Sequence, residues 1–361
     1  MLPHAGHCRH DSSWTFIVPG PSKDNQCLLC LIDIMGDMSV SGVQRHVALS
    51  MLKGLLEAQD TAWDQMSHHP QLLFHIFDLT TDVYYNEPYT DLAVAVVTFV
   101  ISATQEERVL KYFMEKCYDI VHCKRQEEPI QFCLLVMNRQ CDIDAGNTKF
   151  LMLCQAHLLS EILAVSGTLS KTIRKTFVQL LTHVMAVFCS EDAEWPPDVE
   201  NFVWKIAEAQ IPWLNDGDLG RDFHRACLRL LKETLRSRDL RSILIHVGRD
   251  VPGDPTLLMG LKKILTTKDE ELVLLGVQCL YVVVSSAEDV QQSRDIMATD
   301  LAEFVFESLH TKNSLLLSTV FRCLLSMAQH QAFYEKCHAV YGMRLLVLRV
   351  DTDSFLGFFN L

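Results

Sequence analysis

Two stretches of the chain repeat each other. Shifted by 44 residues, "LKKILTTKDEELVLLGVQCLYVVVS" (261–285) lies over "VFESLHTKNSLLLSTVFRCLLSMAQ" (305–329). Leu265, Thr267, Lys268, Cys279 and Leu280 meet the identical Leu309, Thr311, Lys312, Cys323 and Leu324, and Leu272 and Val273 meet Leu316 and Leu317. The turn position Asp269 meets Asn313. In the second copy one helix ends at "TKNS" (311–314), where Asn313 is placed to accept from the first free backbone N–H groups of the next helix. Leu316, Val320, Cys323, Leu324 and Met327 then recur at steps of three and four and form the inner face of that helix. Small residues such as Ala328 let neighbours approach. A shorter echo pairs "FMEKC" (113–117) with "FYEKC" (333–337), five such periods apart.

A unit of this size cannot bury its apolar faces alone; stacking on copies of itself completes the core. A period near 44 lies in the ~40–47 residue range of HEAT and armadillo repeats. The sequence therefore predicts an all-α, armadillo/HEAT-like α-solenoid of stacked helix pairs or triplets, with an unrelated all-α bundle as the alternative. Helical spacing recurs elsewhere: Val43, Val47, Met51, Gly54, Leu55 and Ala58; Val178, Leu181, Met185 and Phe188; Leu258, Leu261, Ile264 and Leu265. Turn chemistry separates these runs, as in "SHHPQ" (67–71), "DAGNT" (144–148), "EWPPD" (194–198), "NDGDLG" (215–220) and "VPGDP" (251–255). Thr90, Asn147, Asp198, Thr256 and Asn313 are placed as helix N-caps. Strand-like sequence is confined to 83–89 and the valine run 282–284.

Residues 1–25, rich in His, Pro, Ser and Gly, read as a flexible lead-in, 26–343 as the solenoid and 344–361 as an atypical tail. That tail ends on Phe355, Leu356, Phe358 and Phe359, where a solenoid needs a polar cap. A shortened form of a longer protein is the expectation, with fold-back of the aromatic tail as the competing reading.

Composition narrows the function classes. Hydrophobic residues make up 49% of 361, ample for a buried core. The 45 acidic residues outweigh 32 basic ones, a net charge of −13, and this field disfavours direct binding of nucleic acid. The 13 cysteines are odd in number and Cys133, Cys154, Cys189, Cys227, Cys279 and Cys323 sit in apolar helical runs, so they read as reduced core thiols of an intracellular protein. The amino terminus lacks the apolar centre of a signal peptide, and the apolar runs 92–101 and 272–284 fall short of the ~18–20 residues that cross a bilayer. The reading is a soluble chain with no membrane partner.

No catalytic pattern stands out. Cys27 and Cys30 form "CLLC" without the second pair a zinc site needs. His4, His7, Cys8 and His10 support at most adventitious metal binding. "CDIDAGNTKFL" (141–151) begins like a calcium loop, but Gly146 stands at the fifth position and Asn147 at the sixth, where a ligand and a glycine belong. Phosphate-binding, dinucleotide and nucleophile-elbow motifs are missing. The expectation is no enzyme, no cofactor and no metal; an enzyme with a site dispersed over distant helices is the least favoured alternative. One feature is less bland. Arg221, Arg225, Arg229, Lys232 and Arg236 are spaced 4, 4, 3 and 4 apart and fall along one helical stripe. They suit an acidic partner helix or a phosphate backbone. The competing reading is a solvated outer face partly neutralised by Asp222 and Glu233.

The block "DIMATDLAEFVFESLHTKNSLLLSTVFRCLLSMAQHQAFYEKCHAVYGM" (295–343) resembles part of the vertebrate meiosis inhibitor protein 1 family, large armadillo-like proteins of germ cells. "ATDLAEFVFE", "CLLSMA" and "KCHAVYG" carry the resemblance, which extends more thinly over roughly 40–343, and the tail after Tyr341 departs from it. The resemblance implies a non-catalytic scaffold in the nucleus, acting with other meiotic break-forming proteins in forming programmed DNA double-strand breaks and in chromosome synapsis. It assigns no binding residues and no oligomeric state. A general armadillo-like adaptor or regulatory subunit in another pathway remains the alternative.

Overall fold

The computed structural model describes residues 17–19, 25–58, 74–79, 90–104, 107–120, 122, 127–190, 194–247, 253–286, 296–297, 299–339, 342 and 344. The chain forms two compact units, one of residues 1–148 with 167–176 and one of 149–166 with 177–361.

In the first unit, strands β1 (Ile17–Pro19) and β2 (Asn25–Cys27) pair antiparallel, Val18 opposite Gln26. Helix α1 (Leu28–Gly36) follows directly and packs on α2 (Gly42–Ala58), which packs on α4 (Thr90–Thr104) after the short helix α3 (74–79). α4 in turn packs on α5 (Glu107–Asp119) and α6 (Glu127–Ile143). α1, α2 and α4 thus each find a wall in a later helix. Side-chain amides tie the layers. Gln140, buried on α6, donates to the Thr98 carbonyl of α4 at 2.9 Å, and Asn138 donates to the Thr176 carbonyl at 3.0 Å. These bonds occupy the buried amide N–H₂ groups, which burial without a partner would penalise.

The division between units falls within α7 (Ala145–Val165) and α8 (Lys171–Ser190). α7 is two helices joined at a kink, Gln155 having φ −134° and ψ 18°. With the turn that follows, residues 145–168 are long and apolar enough, by length and composition alone, to span a bilayer. The sequence reading missed this run because Asn147, Lys149, Gln155, His157 and Glu161 interrupt it. Leu151, Met152, Leu158, Leu159 and Ile162 are buried in the fold, as in a core helix.

The second unit contains the recurrent segments, and they stack in series. One layer runs α9 (Pro197–Asn215), α12 (Leu257–Leu265), α14 (Leu301–Glu307), each packed on the next. The other runs α10 (Arg221–Thr234), α13 (Glu270–Ser285), α15 (Ser314–Met327), with α13 against α15 the most extensive contact. The short helices α11 (Arg238–His246) and α16 (Gln331–Ala339) follow α10 and α15. The step from α10 to α13 is 49 residues and from α13 to α15 it is 44. Buried Gln210 of α9 donates to the Thr234 hydroxyl of α10 at 2.9 Å, and Asn215 donates to the Thr256 carbonyl before α12 at 3.1 Å. Two glycines mark close approaches: a Cβ on Gly260 would stand 2.6 Å from Leu214 Cδ2, and one on Gly276 would stand 2.9 Å from Ile264 Cγ2.

The predicted stacked helical architecture is observed, with one short strand pair, at 17–19 and 25–27, where the sequence predicts no strand. Thr256 and Asn313 cap their helices, Asn313 Oδ1 accepting from Leu315 and Leu316 N–H at 3.1 Å each. Asp269 and Ser237 do the same for α13 and α11. Asn147 and Asp198, however, lie inside their helices, while Thr90 is the first residue of α4. The face expected of α2 is also different: Val43 is 73% exposed, while Ala48, Leu49, Leu52, Leu55 and Leu56 are buried. Two apolar ladders share that helix, and the leucine ladder removes more area from water. Residues 282–284 are helical, within α13. The residues 83–89, the histidine-rich start and the tail from 345 lie outside the described residues.

Candidate partner-binding surface

The stripe of cations predicted from sequence lies along one side of α10. Burial of Phe223, Ala226, Cys227, Leu230, Leu231 and Thr234 orients the helix. The 3.6-residue repeat then turns Arg221, Arg225, Arg229 and Lys232 the other way, with Arg236 exposed in the turn that follows. All five are thus placed on one column, and the sequence did not reveal what faces them. Arg221 pairs with Asp269, the N-cap of the next helix in the layer. Glu271 receives Arg225 at 2.8 Å and lies 3.7 Å from both Arg221 and Arg229. Lys232 donates to the Gln278 amide oxygen at 3.1 Å, and Arg236 pairs with Glu233 one turn back. The stripe therefore joins α10 to α13. Sequence reasoning missed Glu271 and the pairing role of the turn residue Asp269, because the 49-residue step that sets them against the stripe is seen in the helices and not in the 44-residue sequence repeat.

Pairing does not withdraw these cations from solvent. The side chains of Arg221, Arg229 and Arg236 are more than half exposed, so their ion pairs are worth about 1 kcal/mol or less each. Applying both register steps extends the surface across three helices. In the repeat register Arg225, Leu274 and Ser318 hold one row, Arg229, Gln278 and Arg322 the next, and Lys232, Tyr281 and Leu325 a third, the α10 side chains reaching one turn back to Glu271 and Gln278. Leu315 and Leu325, on the outward side of α15, are 59% and 71% exposed. A basic column on α10 and an apolar one on α15 thus flank α13.

Beside it, at the turns between layers, a cleft of ≈ 330 Å³ is lined by Thr267, Lys268, Glu270, Glu307, Ser308 and Thr311 among others. The Thr311 hydroxyl donates to Glu270 at 2.8 Å across it. At the opposite turns Lys262 donates to Asp300 at 2.7 Å, which holds that carboxyl below its ordinary range.

The thiols buried in the helix stack are held protonated. Cys227, Cys279 and Cys323 occupy the buried faces of α10, α13 and α15, and desolvation pushes each up to about 12. Cys279 Sγ donates to the Leu228 carbonyl at 3.6 Å. In the first unit, burial pushes the Cys117 thiol well up beside Cys133. A thiol held protonated is a poor nucleophile. Cys27, at the end of β2, and Cys30, in the first turn of α1, are both buried, in keeping with core residues. Among the described residues no group of three or more His, Cys, Asp or Glu side chains is arranged to hold a metal ion.

Solved structures share this architecture. An engineered protein superposes with a TM-score of 0.61 at 13% identity, covering 91% of this chain and 75% of its own. Computationally designed armadillo repeat proteins for modular peptide recognition give 0.50 at 11% identity, covering 83% of this chain and 99% of theirs. A structure from work on the cadherin and beta-catenin interaction gives 0.52 at 13% identity, covering 84% and 60%. The fold is armadillo-like. Among curated proteins, meiosis inhibitor protein 1 of Mus musculus is 23% identical over 96% of this chain, and that of Homo sapiens 22% identical over 96%. The chain spans 28% of the length of each. The family model described as the meiosis inhibitor protein 1 N-terminal domain matches residues 26–352, and the chain belongs to that family.

Proposed function

We propose that the chain is a non-catalytic scaffold acting in the nucleus of meiotic cells. It supports programmed DNA double-strand break formation and chromosome synapsis by holding other break-forming proteins. The family match over 26–352 carries this reading. The physics is consistent with it: serial stacking presents long columns of side chains, as an interaction surface requires, while the buried thiols are held protonated. The scaffold is residues 26–343, with Arg221, Arg225, Arg229, Lys232 and Arg236 as part of its contact surface and without direct contact to DNA. The test is disruption of the chain's coding sequence in its own organism. Meiotic prophase nuclei should show several-fold fewer recombination foci and unsynapsed chromosome axes, with normal somatic growth. Normal focus numbers and complete synapsis would refute the reading.

A further inference from the structure

The geometry points to a specific chemistry for the partner: an acidic segment that also carries a bulky aliphatic or aromatic side chain, lying across α10, α13 and α15. The inference rests on the scaffold reading and adds what the scaffold holds. Three observations meet on one face. First, Arg229 and Lys232 are incompletely neutralised: Arg229 is 58% exposed with Glu271 no nearer than 3.7 Å, and Lys232 meets a neutral amide. Second, the row that begins with Arg229 ends in exposed Arg322 two helices away. Third, the leucines beside Arg322 on α15, Leu315 and Leu325, lie open to solvent, and half-exposed Tyr281 sits between them and the cations.

Charge complementarity selects the occupant. In a chain of net charge −13 this is a local basic face, which attracts carboxylates and leaves the rest of the surface repelling them. A polyanion alone would use the arginines and waste the leucines. A phosphate backbone offers nothing apolar to Leu315 and Leu325, whereas a peptide with Asp or Glu at one end and a Leu, Ile or Phe at the other satisfies both. Stacked helices lie roughly 10 Å apart, so the two columns are about 20 Å apart. An extended segment covers that in about six residues and a helical one in about thirteen. Arginine and tyrosine are the residue types that dominate such interfaces once desolvated.

A displayed library of random peptides long enough to bridge about 20 Å tests this against the purified chain. The expected result is enrichment of Asp and Glu together with Leu, Ile or Phe at that separation. The triple variant Arg229→Glu, Lys232→Glu, Arg322→Glu should weaken the selected peptides by at least about tenfold. Leu315→Ser with Leu325→Ser should do the same while leaving the acidic preference intact. The variants change exposed positions and the partly buried Lys232, and circular dichroism melting curves verify that each is folded. No enrichment, enrichment without acidic residues, or undiminished binding by the charge variant would overturn the inference. So would displacement of the selected peptides by a DNA duplex that itself loses binding in the charge variant. None of these outcomes bears on the recombination foci counted above, so the two readings fail separately.

Discussion

At the scale of single residues, burial decides which groups are reactive and which hold the layers together. Cys227, Cys279 and Cys323 sit one to a helix in the same layer, each with its thiol pushed up to about 12. At pH 8 a thiol-labelling reagent should modify exposed Cys154 in the native protein and reach the three buried thiols only after denaturation, which peptide mapping by mass spectrometry reads directly. The same burial links them to stability. In the unfolded chain these thiols ionise near 9.0, so raising the pH above that value draws protons from the unfolded state first. Their contribution is complete below pH 9 and is lost as pH rises toward 12. The midpoint of thermal unfolding should fall over that window, and less steeply in the Cys227→Ala, Cys279→Ala, Cys323→Ala variant. The polar counterpart is the Gln210–Thr234 bond, buried between α9 and α10. Thr234→Val keeps the volume and deletes the hydroxyl, at an expected cost of about 1–3 kcal/mol in urea denaturation.

At the scale of elements, the turns carry two duties. Asp269 caps α13 through the Glu271 and Leu272 N–H groups and also receives Arg221 from the neighbouring helix. Asp269→Asn keeps the cap and removes the charge, whereas Asp269→Ala removes both. The first should cost less than about 1 kcal/mol and the second about 1 kcal/mol more, again by urea denaturation. Such positions explain what the sequence did and did not disclose. Asn313 and Thr256 were legible because a capping residue precedes an apolar run with clear period. Asp269 was legible as a turn through its alignment with Asn313. The inner face of α15 was legible in full, since Leu316, Val320, Cys323, Leu324 and Met327 are all buried. α2 was misread because Val43 and Val47 obey the same three-and-four spacing as the leucines that win the core. The basic stripe was legible as a stripe, because that needs only helical period. Its engagement by Glu271 was not, because which helix stands opposite is a property of the stack.

At the scale of the whole molecule, each layer is a series of nearest-neighbour contacts, and damage should spread accordingly. Gly276 admits the side chain of Ile264 where a larger residue would collide with it. Gly276→Leu should raise hydrogen exchange in α13 and in its neighbours α10, α12 and α15, and leave α1 and α2 at the native rate; equal loss of protection everywhere would contradict the serial picture. The all-α stacked class could be read from 44-residue self-similarity because two adjacent copies kept identical turn residues. The earlier helices show no such match, so their place in the stack emerged from the structure alone. The unequal steps have a consequence of their own. Since α10, α13 and α15 keep one line although 49 residues separate the first two and 44 the last two, alignment is enforced helix by helix and the connecting segments take up the slack. Lengthening or trimming a connector by a few amino acids should then leave the columns undisturbed, whereas deleting a single residue inside a helix would rotate everything beyond it by about 100° and scramble the face it presents.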